Sequence, residues 1–140
     1  MKKISLLFCL LLTVLLVSCD QLAHYKNFKL DGMWQLKTVQ DIDGNVIPVD
    51  TVFYSFQRET VFSFTLLQNP QTSVLMYGYV DMPSNDKVHV LIDRLFDSEW
   101  FLSLSGWSSA DIVFDIKKYN CSDLVLFDSG NGKTYTLKKF

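Results

Sequence analysis

Few residues in this chain could do acid–base or metal chemistry, and their spacing suits it poorly. There are two histidines, His24 and His89. A metal site needs converging ligands, and neither His-x-x-x-His nor Cys-x-x-Cys occurs. His89 lies between Val88 and Val90 in an alternating run, which turns it to the opposite face from both. We read it as a solvated or hydrogen-bonded side chain. The carboxylates gather in two loops, one with Asp41, Asp43 and Asp50, the other with Asp93, Asp97 and Glu99. The first group lacks the full calcium-loop pattern, with its spaced acidic ligands and closing glutamate, and reads as a solvated loop. Ser105-Gly106 runs into Trp107 and lacks the strand-turn-helix context of a serine nucleophile. No catalytic residue, metal or cofactor is assigned, and the chain is read as non-enzymatic.

The cysteines point to a different chemistry. The chain opens MKKISLLFCLLLTVLLVSCDQ. A basic head, an apolar run from Ile4 to Val17 and a small residue before a cut site make a secretory signal. The run is short for a membrane span, which takes about 20 apolar residues. Leu16-Val17-Ser18-Cys19 resembles the bacterial lipobox. That resemblance implies a diacylglyceryl thioether on Cys19, cleavage before it, and acylation of the freed amine. Several acyl chains, each contributing about 0.8 kcal/mol per buried CH₂, make a lasting anchor. Cys19 is therefore read as an attachment point. Cleavage leaves 122 of the 140 residues. Lys2 and Lys3 depart with the signal, taking the 13 basic residues to 11 against 15 acidic, a charge of −4. Such a balance argues against nucleic acid, which favours a basic face. Cys9 departs as well, so no internal disulfide is expected, and Cys121 reads as a small residue beside a turn. Asn120-Cys121-Ser122 matches a eukaryotic glycosylation sequon, which a bacterial lipoprotein does not use. Asp20 resembles an inner-membrane retention signal in some bacteria and part of a surface-export signal in others. We place the protein in the cell envelope, with the outer membrane favoured.

The elements that must position the remaining residues are strands. Residues 1–18 are read as the signal, 19–30 as a tether with Tyr25, Phe28 and Leu30 as docking points, and 31–140 as one domain. Alternation marks eight strands, in MWQLKTV, VFYSFQ, VFSFTLL, VLMYGYV, KVHVLI, IVFDIKKY, DLVLF and KTYTLKKF. DIDGN, a tight turn near Arg58-Glu59, QNPQT, MPSND and DSGNGK separate them. The links are too short for crossover helices, so an up-and-down antiparallel β-barrel is expected. Residues 93–110 fit two periods. Phe96, Trp100, Leu104 and Trp107 have helical spacing, while Trp100, Leu102 and Leu104 alternate as a strand would. We read this stretch as a loop with a helical turn, of a length typical of lids and binding loops.

Gly32-Met33-Trp34 opens the first strand and DLVLFDSGNGKTYTLKKF closes the chain. With the lipobox and the strand count, these resemble the small bacterial lipocalin-like lipoproteins over residues 30–140. The resemblance implies an eight-stranded barrel with Gly32 and Trp34 at its closed base. It also implies a late basic residue, Lys138 or its neighbour Lys139, over the Trp34 ring. Its ligand would be a small apolar or amphipathic molecule. Aromatic residues are the one compositional excess, with 11 Phe, 6 Tyr and 3 Trp. Tyr54, Phe62, Phe64, Tyr77, Tyr79, Trp100 and Trp107 are the candidate ligand-binding residues. An eight-stranded barrel has room for side chains or for one small ligand. The alternative is a filled barrel that serves as a structural or interaction module beside an outer-membrane or glycan-handling complex.

Overall fold

A computed structural model describes residues 29–58 and 60–140. The signal, Cys19, His24 and the tether through Phe28 lie outside the described residues. No helix among the described residues is long and apolar enough to cross a membrane. Among the described residues, nine strands and one helix follow in order: β1 Gly32–Gln40, β2 Val46–Pro48, β3 Val52–Gln57, β4 Val61–Asn69, β5 Thr72–Ser84, β6 Lys87–Ile92, α1 Ser98–Ser105, β7 Asp111–Tyr119, β8 Asp123–Asp128 and β9 Lys133–Lys139. All pairings are antiparallel, and β1 pairs with β9 to close an eight-stranded barrel. β2 is a ninth strand outside the barrel, hydrogen-bonded to the upper half of β1.

The alternation in the sequence becomes the wall of the barrel. Trp34 and Leu36 of β1, Tyr54 and Phe56 of β3, and Phe62 and Phe64 of β4 all turn inward and are buried. Val88, Val90 and Ile92 of β6, Phe114 of β7, Leu126 of β8 and Tyr135 of β9 complete the lining. Register follows from this, because a slip of one residue would turn every ring into water.

The structure departs from the sequence reading at two places. β2 was not expected: its three residues are all exposed and show no alternation. Pro48 suits an edge strand, since it has no N–H to donate. MPSND does not end β5. A register shift between Asp81 and Ser84 absorbs Met82 and Pro83, and the strand runs on to Ser84. Cys121, beside the β7–β8 turn, is disulfide-bonded in the uncleaved 140-residue chain. The expectation of no internal disulfide concerns the chain after cleavage before Cys19 and acylation there, a different covalent state.

Residues 93–110 contain a helix of eight residues. Asp97 caps it, its side chain accepting the Trp100 N–H at 3.0 Å. Gly106, at φ 69°, ends it in the left-handed conformation that favours glycine. The helix sits across the end of the barrel where β6 stops and β7 begins.

Candidate functional site

The candidate residues divide between two places. Tyr54, Phe62, Phe64 and Trp107 lie inside the barrel. Tyr77, Tyr79 and Trp100 lie outside and are about half exposed. They do not line one mouth. Tyr77 and Tyr79 share the outward phase of β5, opposite Met76 and Val80, and Trp100 is on the solvent side of α1 while Phe101 points in.

Inside, the rings touch one another across the whole lumen. Trp107 is at the centre, 5.4 Å from Tyr54, 5.6 Å from Phe62, 5.1 Å from Phe101 and 4.8 Å from Phe114 between ring centroids. Phe64 meets Phe101 at 5.3 Å, and Phe114 meets Tyr135 at 5.9 Å. Most of these contacts are edge-to-face, the arrangement that the ring quadrupole favours. The Trp107 indole N–H donates to the Tyr54 hydroxyl at 2.8 Å. Burial pushes the Tyr54 and Tyr135 hydroxyls well above the usual phenol range, so both stay protonated.

The segment that brings Trp107 inward is fastened at its end. The Gly106 carbonyl accepts from Asn131 Nδ2 at 2.9 Å, Lys133 Nζ at 3.3 Å and the Tyr135 hydroxyl at 2.8 Å. Asp128 is buried. It accepts from the Ser108 N–H at 2.8 Å, the Ser108 hydroxyl at 2.6 Å and the Gly130 N–H at 2.9 Å. A buried carboxylate needs such donors to offset its lost hydration. Asp128 was missed in the sequence. Its signal was its phase: Leu124, Leu126 and Asp128 share the inward face of β8.

The other end is sealed by Trp34. Its indole N–H donates to the Leu30 carbonyl at 2.8 Å. Lys139 Nζ stands over its ring at 4.5 Å and donates to the Asp31 carbonyl. Lys138, expected over Trp34, points outward and pairs with Asp123. The correction is one of phase: Lys138 shares the outward face with Thr136, while Lys139 stands directly opposite Trp34. Gly32 has φ +116°, and a Cβ there would run into the Lys139 side chain. The glycine thus permits both the turn and the cation over the ring.

The outer wall has two halves. Over β6–β9 it is charged and paired. Lys87 meets Asp115 at 2.5 Å, Lys118 meets Asp123 at 3.1 Å, and Lys138 meets Asp123. His89 bridges Asp81 (2.6 Å to Nδ1) and Asp111 (2.7 Å to Nε2), tying β5, β6 and β7. The bond to Asp111 above all raises the His89 pKa. Asp41 accepts from the N–H groups of Asp43 and Asn45, each at 2.9 Å, and so shapes its own turn. Over β1, β3, β4 and β5, the outward positions 33, 35, 53, 55, 57, 61, 63, 65, 67, 73, 75, 77 and 79 are uncharged, and Lys37, Arg58 and Asp81 border them. Met33, Val61, Leu67, Leu75, Tyr77 and Tyr79 are exposed there.

Comparison with known proteins agrees with this architecture. Residues 14–140 match the family model of a lipocalin-like domain. The chain is similar to a lipocalin-like protein from Bacteroides uniformis, with 25% identity and a TM-score of 0.69, over 81% of this chain and 100% of that one. It shares its fold with a protein from Bacteroides eggerthii, with 23% identity and a TM-score of 0.69, over 79% of this chain and 99% of that one. No curated protein matches it.

Proposed function

The chain belongs to the family of lipocalin-like domains, and from that premise we propose that it is a non-enzymatic, lipid-anchored envelope protein that acts through its outer surface. The barrel is the scaffold for that surface. The observation that supports this reading is Trp107, only 4% exposed at the centre of a continuous set of ring contacts. A ligand site in a barrel of this size needs the volume those rings occupy. The segment bearing Trp107 is held at Gly106 and Ser108 by five hydrogen bonds to the β8–β9 side, which favours a permanent plug over a lid.

Anchorage at Cys19 sets the orientation. The described chain enters at Lys29, whose Nζ reaches the Asn85 carbonyl at the Trp34 end. That end would face the leaflet, and α1 would face away. The nine residues between Cys19 and Lys29 reach at most about 30–35 Å, so the domain stays close to the membrane.

Mass spectrometry of protein extracted gently from membranes tests both parts. The expected result is a mature chain with diacylglyceryl on Cys19, no co-purifying small molecule, and one protein partner recovered reproducibly with a tagged copy. A stoichiometric apolar ligand would overturn the surface reading in favour of ligand capture in the barrel. An unlipidated chain, or Cys19 held in the disulfide with Cys121, would overturn the anchor. Cys19→Ser is expected to move the protein out of the membrane fraction.

A further inference from the structure

We infer that the Trp34 end of the barrel is a docking face for anionic phospholipid headgroups. The inference rests on the anchor and orientation read above, and names what that end touches.

Charge is divided between the two ends of the barrel. The strand ends and turns around Trp34, residues 29–34, 56–61, 83–88, 115–124 and 137–140, carry seven basic and five acidic side chains. Those at the α1 end, residues 38–51, 67–74, 91–111 and 127–134, carry two basic and eight acidic. Each barrel strand runs from one group to the other. Four basic side chains of the Trp34 end are paired: Lys87 and Lys117 share Asp115, and Lys118 and Lys138 share Asp123. The other three form no ion pair among the described residues. Lys139 lies over Trp34. Lys29 reaches the Asn85 carbonyl and stands over the Tyr119 ring at 4.9 Å. Arg58 is exposed at the β3–β4 turn, where its backbone N–H donates to the Asp31 carboxylate at 2.9 Å. A cleft of about 340 Å³ opens there between Asp31, Met33, Phe56, Gln57 and Arg58. It sets a cation beside apolar surface, the pairing that suits the boundary between headgroup and acyl chain.

Distance decides what the leaflet feels. The mature chain has a charge of −4, so an anionic leaflet repels it as a whole. Strands of nine residues such as β1, tilted in a barrel of this size, hold the two ends roughly 20–25 Å apart. The Debye length is about 8 Å at physiological salt. A leaflet touching the Trp34 end is therefore screened from the acidic end and meets the basic excess alone. That excess is too small to hold a free protein. It suffices here because the tether, entering at Lys29, keeps this end within about 30–35 Å of the leaflet and supplies the effective concentration. The leaflet is the anionic surface that the tether brings to this end, which selects it over a soluble anionic partner.

The test uses lipidated protein extracted from membranes and reconstituted into vesicles of phosphatidylcholine, alone or with about 30% phosphatidylglycerol. Flotation reports the anchor, and hydrogen–deuterium exchange reports docking. With phosphatidylglycerol, exchange in the turns at residues 84–87 and 119–123 is expected to slow by about threefold or more, with the turn at 41–45 unchanged. Roughly 0.5 M salt, which shortens the Debye length to about 4 Å, should remove that protection. Lys29→Glu combined with Arg58→Glu should remove it as well, while Arg94→Glu, a charge reversal at the α1 end, should leave it in place. Protection that is absent, equal in both vesicles, centred on 41–45 or unaffected by the double variant would overturn the inference and leave the anchor intact. A wild-type chain that floats with neither vesicle would overturn the anchor and the inference together. Circular dichroism of each variant establishes that it has folded.

Discussion

Lys138 and Lys139 are adjacent, basic and near the chain end, yet only Lys139 lies over Trp34. Burial lowers the Lys139 pKa, as expected of an ammonium held against a ring. A cation–π contact contributes about 0.5–2 kcal/mol, more as the cation is desolvated, and here the ring is buried while the lysine stays partly in water. Lys139→Met should therefore lower stability by about 1–2 kcal/mol and change the Trp34 fluorescence. Lys138→Met removes only an exposed pair and should cost about 0–1 kcal/mol. Denaturant titration of both variants checks the asymmetry, and equal losses would contradict the assignment. The Gly-x-Trp motif was legible in the sequence because its residues are close together. The choice between two neighbouring lysines was not, because it depends on the phase of β9 after a register shift in β1 between Leu36 and Thr38. Tyr77 and Tyr79 were misplaced for a related reason. Alternation shows that two residues share a face, and only the closed barrel shows which face is inside.

The eight barrel strands were readable as elements because each has alternating apolar residues and a turn at both ends. β2 was not, since three exposed residues on an edge leave no periodic trace. Residues 93–110 showed two periods at once. The structure resolves them through Asp97 as cap and Gly106 as terminator, which let a helix of two turns place Phe101 and Trp107 inside. The latch at Asp128 is a property of that element. Asp128→Asn keeps the shape but removes the charge that receives the Ser108 and Gly130 donors. Hydrogen–deuterium exchange over residues 98–110 should then speed up by at least tenfold, with little change in β3 and β4. His89 acts on three strands together. Its folded-state pKa is raised above 6.5, chiefly by Asp111, so the clamp contributes most below the ordinary histidine range. That contribution is lost as pH rises through the folded-state value. The denaturation midpoint of the wild type should fall from about pH 6 to about pH 8, and His89→Gln should flatten that fall. An unchanged slope in the variant would remove His89 from the account.

At the scale of the whole molecule, the fold and the family were legible, while the contents of the barrel were not. Closure of eight strands follows from alternation and short links. Whether the resulting lumen is cup or core depends on two residues from outside the strands, Phe101 and the central Trp107, and on the anchors that hold Trp107 there. This makes the distinction experimentally reversible. Trp107→Ala removes the ring in contact with Tyr54, Phe62, Phe101 and Phe114 together. Its cost should be about 3–5 kcal/mol, the transfer loss plus the cavity left behind. A cavity walled by aromatic rings stays dry and accepts small apolar guests. The variant should therefore bind benzene or xenon, with a rise in thermal midpoint that grows with guest concentration, whereas the wild type should show no rise. Tyr54→Phe serves as the companion variant, since it removes the hydroxyl that receives the Trp107 indole N–H but leaves the volume filled. It should lose about 1–3 kcal/mol and gain no guest binding, because the indole N–H is left buried without its acceptor. A guest response in the wild type would mean that the lumen already holds usable space. The domain would then be a ligand cup, with residues 93–110 as its lid.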